Sequence, residues 1–220
     1  MEKIDEMRPK SVMKGVDRMS YKFIQIPDDI EKITSIYYED LSDYNKVIDK
    51  KDPFPLVGYK KLVEGSPVIM VRCDIECTGI NPNECFQMIY DFDIRKSWDK
   101  ALKANLIEKI DDSTDYIYSI FKAPWGASNR DFCQFRRWAY NVKELEYVIY
   151  MVSVEHEKCP DVSGAVRAHT YISGYAIKKH PTDPNSCLLM IVSQVDIKGL
   201  VPKFIVNSIA ASGPSGWALN

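Results

Sequence analysis

Arg95 and Asp99 stand four positions apart in the segment Asp91–Asp99. On a helix that spacing places a guanidinium and a carboxylate on one face, about one turn apart. Such a pair has two uses. Exposed to water, it is a surface bridge worth roughly a few tenths of a kcal/mol. Withdrawn from water, a fixed cation beside a fixed anion can receive a zwitterion that carries a phosphate and an ammonium. This segment alone leaves both uses open. Its helical setting is clearer. Asn81 can cap, Pro82 suits the first helical position, and Glu84 completes a capping box. Phe86, Ile89 and Tyr90 follow at helical spacing, and the helix, or a short second one, runs on through Asp99.

Other chemistry is thinly represented. No G-x-S-x-G, P-loop or dinucleotide fingerprint occurs. His156, His169 and His180 are far apart, without metal spacing. His169 is the one histidine with a place in a strand face, and no acid–base partner is evident for it. The six cysteines, Cys73, Cys77, Cys85, Cys133, Cys159 and Cys187, lie in apolar segments with no C-x-x-C spacing. They are expected to pack as buried free thiols, with no metal site and no cofactor.

The elements that must position Arg95 and Asp99 can be outlined from pattern. Met1–Ile26 is a loose lead-in, and a helical pattern over Asp28–Val47 carries Ile33, Ile36, Tyr37 and Leu41 as a stripe. Two strands, Leu56–Val63 and Val68–Thr78, flank a turn at Glu64–Pro67. After the Asn81–Leu102 helical region come strands over Asn105–Ile110, Tyr116–Lys122, Asp131–Tyr140, Glu144–Val154, Val166–Lys178 and Cys187–Ile197. Pro202–Ala211 closes as a helix, with Val201, Ile205 and Ile209 at i, i+4, i+8. The class is α+β: one antiparallel sheet with helices at both ends. In Glu144–Val154 both strand faces are apolar, so that strand is covered on both sides. In the next strand, Arg167, His169, Tyr171, Ser173 and Tyr175 alternate onto one face.

Three further blocks accompany Arg95, Trp98 and Asp99. They are Pro124 with Ser128–Asp131, then Ser163–Arg167, and last Asp196, Gly199, Pro202 and Asn207. In that order and spacing, from about Phe54 to Asn207, the chain resembles the StAR-related lipid transfer (START) family. The resemblance implies a helix-grip fold, in which a curved antiparallel sheet grips a C-terminal helix and encloses a lipid tunnel. It divides the chain into an N-terminal extension, residues 1–27, and a lipid-binding domain, residues 28–220. In members that bind phosphatidylcholine, the residues matching Arg95 and Asp99 meet the phosphate and the quaternary ammonium. Phe132 and Tyr171 fall on two aromatic cage positions. The third, a tryptophan in those members, falls on Ser119. A lost ring removes roughly 0.5–2 kcal/mol of cation–π attraction, and the Ser119 hydroxyl can hydrogen-bond another head group instead. Arg130 and Asp131 are expected to form an ion pair that pins a loop base, and Trp98 to pack. Trp125, in the Pro124–Ala127 loop, either contacts a membrane at the tunnel mouth or is buried beneath the last helix. Val201, Ile205 and Ile209 would line the lid. The sequence breaks at Ser212–Gly216, where the family helix normally continues, so the lid is short or the chain is trimmed.

Composition fits this implication. The chain has 220 residues, is 45% hydrophobic and carries a net charge of −2, which argues against a nucleic-acid partner. No apolar run approaches the roughly 18 residues of a membrane span, and the charged start lacks a signal-peptide apolar region. The expected protein is a cytoplasmic monomer, peripheral at membranes, that touches them transiently and carries one glycerophospholipid without catalysis. A sterol or ceramide carrier, with Arg95–Asp99 as an internal pair, and an enzyme using the same cavity are the rival readings.

Overall fold

Among the described residues ten strands form one sheet, and the order in which they pair brings distant segments together. The structure, a computed structural model, describes residues 27–52, 54–123, 128–142 and 145–199. The lead-in before Pro27, Trp125, and the lid positions Val201, Ile205 and Ile209 lie outside the described residues. In chain order the elements are helix α1 (Asp28–Tyr38), strands β1 (Asn45–Lys50), β2 (Leu56–Lys61) and β3 (Met70–Cys77), and helices α2 (Pro82–Tyr90) and α3 (Phe92–Trp98). Then follow β4 (Leu102–Lys109), β5 (Thr114–Phe121), β6 (Asn129–Val142), β7 (Leu145–Ser153), β8 (Ala165–Arg167), β9 (His169–Lys179) and β10 (Cys187–Asp196). The sheet runs β1-β2-β3-β10-β9-β7-β6-β5-β4, and β8 pairs in parallel with β6 off this path. All other pairings are antiparallel, so the described architecture is α+β.

Each face of the sheet carries its own apolar cluster, as the two-sided pattern of β7 requires. On one face Ile149 and Met151 pack with Ile75, Phe86, Ile89, Ile117, Tyr175, Ile177 and Leu189. This face is covered by α2, whose Phe86 stacks on Tyr90 and Tyr147. On the other face Val148 and Tyr150 pack with Ile30 and Ile33 of α1 and with Ala176, Met190 and Val192. Arginines from the sheet hold α1 at both ends. Arg137 Nη1 reaches Asp29 Oδ2 at 2.7 Å, and Arg72 Nη1 donates to the Ile36 carbonyl at 2.7 Å. Gly174 is required where α1 crosses β9, because a Cβ there would run into the Ile149 carbonyl oxygen and the Ile33 side chain.

The structure departs from the pattern reading in two places. The helical pattern over Asp28–Val47 stops at Tyr38; Glu39 leaves helical backbone, Leu41–Asp43 makes a single 3₁₀ turn, and Asn45–Lys50 becomes edge strand β1. That strand is almost wholly exposed, so it has no alternation to betray it; pairing with β2 alone defines it. The second departure is in the predicted strand Val166–Lys178. It splits at Ala168 into β8 and β9, and a register shift follows. Ile172 pairs with Gln194 and Thr170 pairs with Val195, so Tyr171 is the extra residue of a bulge. A bulge reverses the alternation beyond it. The run of Arg167, His169 and Tyr171 therefore does not continue the face of Ser173 and Tyr175.

Candidate functional site

The local signals around Arg95 act as the sequence suggests. Asn81 Oδ1 accepts from the backbone N–H of Asn83 and Glu84, and Glu84 Oε2 accepts from the Asn81 N–H, which closes the capping box. Asp91 then ends α2 and begins α3, its Oδ1 accepting from Asp93 and Ile94 N–H at 2.8 and 3.2 Å. This second cap lets the chain turn, so that α3 lies against β4 and directs Arg95 and Asp99 inward. Arg95 is 9% exposed and Asp99 6%. Of the two readings open in the sequence, the surface bridge is thereby removed.

Two buried Arg–Asp pairs occur on this side of the protein, and their coordination differs. Arg136 and Asp115 form a bidentate bridge, Nε to Oδ1 at 2.9 Å and Nη2 to Oδ2 at 2.7 Å. Arg136 Nη1 also donates to the Tyr90 carbonyl at 2.9 Å, the Tyr90 hydroxyl donates to Asp115 at 3.1 Å, and the guanidinium stacks over the Tyr90 and Phe92 rings. Burial, with Asp115 beside it, pushes the Tyr90 phenol up to about 12, so it stays a donor. Every charge in this network is answered. The Arg95–Asp99 pair is looser. Nε and Nη2 both converge on Oδ2 at 3.3 Å, longer than the about 2.7–2.9 Å of a strong charge-assisted bond. Nη1 reaches only the Tyr175 hydroxyl, at 3.5 Å, and Asp99 Oδ1 accepts no hydrogen bond among the described residues. Burial opposes the Arg95 charge, but Tyr175 and Asp99 outweigh it and hold the guanidinium above its usual range. Trp98 lies under Arg95, 5.8 Å from its guanidinium carbon, and donates to the Met88 carbonyl at 3.2 Å, in keeping with a packing role.

Ser119 and Phe132 are direct partners across β5 and β6, and Ala104 of β4 faces Ser119 from the other side. Alternation puts both on the face of Ile117, the face that carries Tyr175 and α2. Both are buried, and Phe132 meets Phe121 edge to face at 5.5 Å. Tyr171, on the bulge, is 42% exposed and meets His169 edge to face at 4.7 Å. The bulge turns Thr170 inward in its place, where it is fully buried and its hydroxyl accepts from Gln134 Nε2 at 2.9 Å. Arg95, Asp99 and Tyr175 are thus joined directly; Ser119 and Phe132 share their sheet face, and Tyr171 stands at its margin.

Sequence reasoning passed over Tyr175, although its alternation with Ser173 and Ile177 marks it as inward. It could not see Gln134–Thr170, which depends on the bulge. The expected Arg130–Asp131 ion pair is corrected. Asp131 Oδ2 instead accepts from Arg167 Nη2 at 2.8 Å and from the Tyr118 hydroxyl at 3.1 Å. Arg130 donates to the Ile197 and Lys198 carbonyls at 2.8 and 2.9 Å, and to that of Ser128. Neighbouring residues of a strand point to opposite faces, which keeps Arg130 and Asp131 apart. The loop base is joined instead by the Ala123 N–H, which donates to Asn129 Oδ1 at 3.1 Å. All six cysteines are buried and free.

Among the described residues the architecture is an antiparallel sheet with a capped helix pair over one apolar face and a buried ion pair between them. The START domain family model matches residues 55–216, and the chain belongs to that family, whose members bind and transfer lipids. START domain-containing protein 10 of mouse and of human are each 32% identical to it over 142 residues, 62% of this chain and 46% of the relative. Human StAR-related lipid transfer protein 7, mitochondrial, is 24% identical over 173 residues, 77% of this chain and 46% of the relative. The chain therefore spans about half the length of the curated relatives it matches. The crystal structure of human STARD10 superposes with a TM-score of 0.76 at 26% identity, covering 90% of this chain and 80% of that one. Human StAR-related lipid transfer protein 5 gives 0.78 at 17% identity, covering 88% and 91%, a likeness of fold. The fold is the START helix-grip fold.

Proposed function

We propose that this chain binds one glycerophospholipid between the inner sheet face, α3 and the C-terminal segment, and transfers it between membranes without chemistry. The observation that carries the reading is the contrast between the two buried ion pairs. The Arg136–Asp115 network holds the fold together through short bonds that engage both carboxylate oxygens. Arg95 is held by contacts of 3.3–3.5 Å and, among the described residues, Asp99 has an oxygen that accepts no hydrogen bond, both withdrawn from water. A phosphate on Arg95 and an ammonium near Asp99 would complete both. Ser119 and Phe132 would flank the head group, while Tyr171, 42% exposed on the bulge, would contribute only if the bulge relaxed; with serine in place of a ring the choice need not be choline.

Transfer energetics explain the need. Each buried methylene contributes about 0.8 kcal/mol, so a bare diacyl lipid leaving a bilayer faces on the order of 20 kcal/mol or more. A dry cavity replaces the bilayer and makes exchange nearly neutral. In this reading residues 28–220 are the lipid-binding domain and residues 1–27 an extension. Val201, Ile205 and Ile209 gate it, and Trp125 contacts the membrane. No helix of the described residues is long and apolar enough to cross a bilayer, and we take the protein to be a monomer in the cytoplasm, peripheral at membranes. In this reading lipid transfer itself needs no cofactor and no nucleic-acid partner.

Mass spectrometry of the organic extract from purified protein tests the reading. A co-purified phospholipid, exchanged for labelled phospholipid from liposomes, is the expected result. A sterol or ceramide in its place would make Arg95–Asp99 an internal pair and overturn the ligand assignment. A chemically altered small molecule would indicate an enzyme on the same fold.

A further inference from the structure

Cys77 ends β3, Cys187 opens β10, and Cys85 lies on α2. Cys77 and Cys187 are direct partners across the antiparallel pair, and α2 lowers Cys85 onto them. The three sulfurs lie within 4.8 Å of one another, and all three residues are buried. Three thiols from three separate elements, converging on one point, are more than scattered small hydrophobes require. Cys73, four residues earlier on the same face of β3, is equally buried and outside the group.

We propose that Cys77, Cys85 and Cys187 form a three-sulfur site for a soft divalent metal ion of the Zn²⁺ class. A zinc–sulfur bond of about 2.3 Å places tetrahedral ligands about 3.8 Å apart, so closing the site needs side-chain shifts of an ångström or less. Soft sulfur donors select such ions over Mg²⁺ and Ca²⁺. Three Cys thiol protons leave to solvent as three metal–thiolate bonds form, because the thiolate is the ligand. The metal thus offsets all but one of the three thiolate charges. No fourth His, Cys, Asp or Glu joins the group among the described residues, which leaves one coordination position for an exogenous ligand. Occupancy would clamp α2 to the β3–β10 pair and, through Asp91, fix the start of the helix that carries Arg95. This site is independent of the lipid reading.

The test uses the full chain, reduced and stripped with a chelator, then titrated with Cd²⁺ as an optical probe. A thiolate-to-cadmium charge-transfer band should rise and saturate at one equivalent, and Zn²⁺ should displace it. Loss of a supporting residue around a metal site already costs about 10–100-fold in affinity, so Cys85→Ala and Cys187→Ala should lose at least that, while Cys73→Ala binds normally. Absence of a saturable band in the unaltered chain overturns the proposal, as does an undiminished band in the Cys85 and Cys187 variants. Should those variants not fold, slow native alkylation of the unaltered chain decides. Zn²⁺ should protect Cys77, Cys85 and Cys187 and leave Cys73, Cys133 and Cys159 unchanged. Equal protection of all six, or of none, refutes the site.

Discussion

Removing Asp99 alone should damage the fold more than removing Arg95 and Asp99 together, while both changes abolish lipid transfer. The two charges are 3.3 Å apart, with side chains 11% and 7% exposed. At the effective dielectric that suits protein sites, that contact carries about 5 kcal/mol of attraction, and desolvation of two ions has consumed most of it. Asp99→Ala leaves Arg95 buried beside Tyr175 without its counter-ion, at a cost of about 3–5 kcal/mol. For a chain of this length, that lowers Tm by about 6–20 °C. Arg95→Met/Asp99→Leu removes both charges and keeps the apolar volume, so Tm should return to the wild-type value or pass it. Transfer should not return, because the phosphate and ammonium have lost their partners. Thermal unfolding by circular dichroism reads the first quantity, and movement of labelled phosphatidylcholine between liposomes reads the second. Asp115→Ala serves as the contrast: it breaks the saturated network, lowers Tm, and leaves transfer below Tm unchanged. A folded Arg95→Met/Asp99→Leu protein that transfers at the wild-type rate refutes the assignment of this pair to the head group.

Ser119→Trp should raise the preference for phosphatidylcholine over phosphatidylethanolamine by about 2–30-fold, the equivalent of one ring facing a desolvated ammonium. Competition between the two labelled lipids measures it, and an unchanged ratio would remove Ser119 from the cage. Gly174→Ala should destabilise the fold by about 1–3 kcal/mol, the usual cost of overpacking, by pushing Ile33 and α1 off β9; an unaltered unfolding midpoint in urea would show that α1 accommodates the methyl. Trp125→Ala should weaken liposome binding and slow transfer while lipid already bound stays in place. Trp125 fluorescence, isolated by replacing Trp98, Trp138 and Trp217 with Phe, should shift to the blue on adding vesicles, and a normal transfer rate with no shift would move the docking element to the C-terminal segment.

The features legible in the sequence are those whose cause is local. The capping box at Asn81 needs only four residues, and it holds in the structure atom for atom. The two-sided pattern of β7 needs one strand, and it correctly announces apolar clusters on both faces. The ordered blocks from Arg95 to Asn207 suffice for the family. Edge strand β1 escapes because its side chains are exposed on both faces and its identity comes only from the partner β2. The bulge at Tyr171 escapes for a related reason, since register against β10 decides it and no residue type within β9 encodes it.

The site shows the same division at finer scale. Spacing says that Arg95 and Asp99 form a pair, and nothing in the helix says whether the pair faces water or the interior. That depends on β4 and β9, which the helix meets only after folding. Arg136 and Asp115 carry the same chemistry on adjacent strands, and they too are buried. Residue type and burial therefore do not separate the two pairs. What separates them is saturation: one guanidinium has a carboxylate, a carbonyl and two rings. The other shares a single carboxylate oxygen at 3.3 Å, touches a hydroxyl at 3.5 Å and lies 5.8 Å from one ring, that of Trp98. An unsaturated buried ion pair is costly to a fold that gains nothing else from it. Its presence beside a better-satisfied one is the physical ground on which we propose Arg95 and Asp99, rather than Arg136 and Asp115, for the head group.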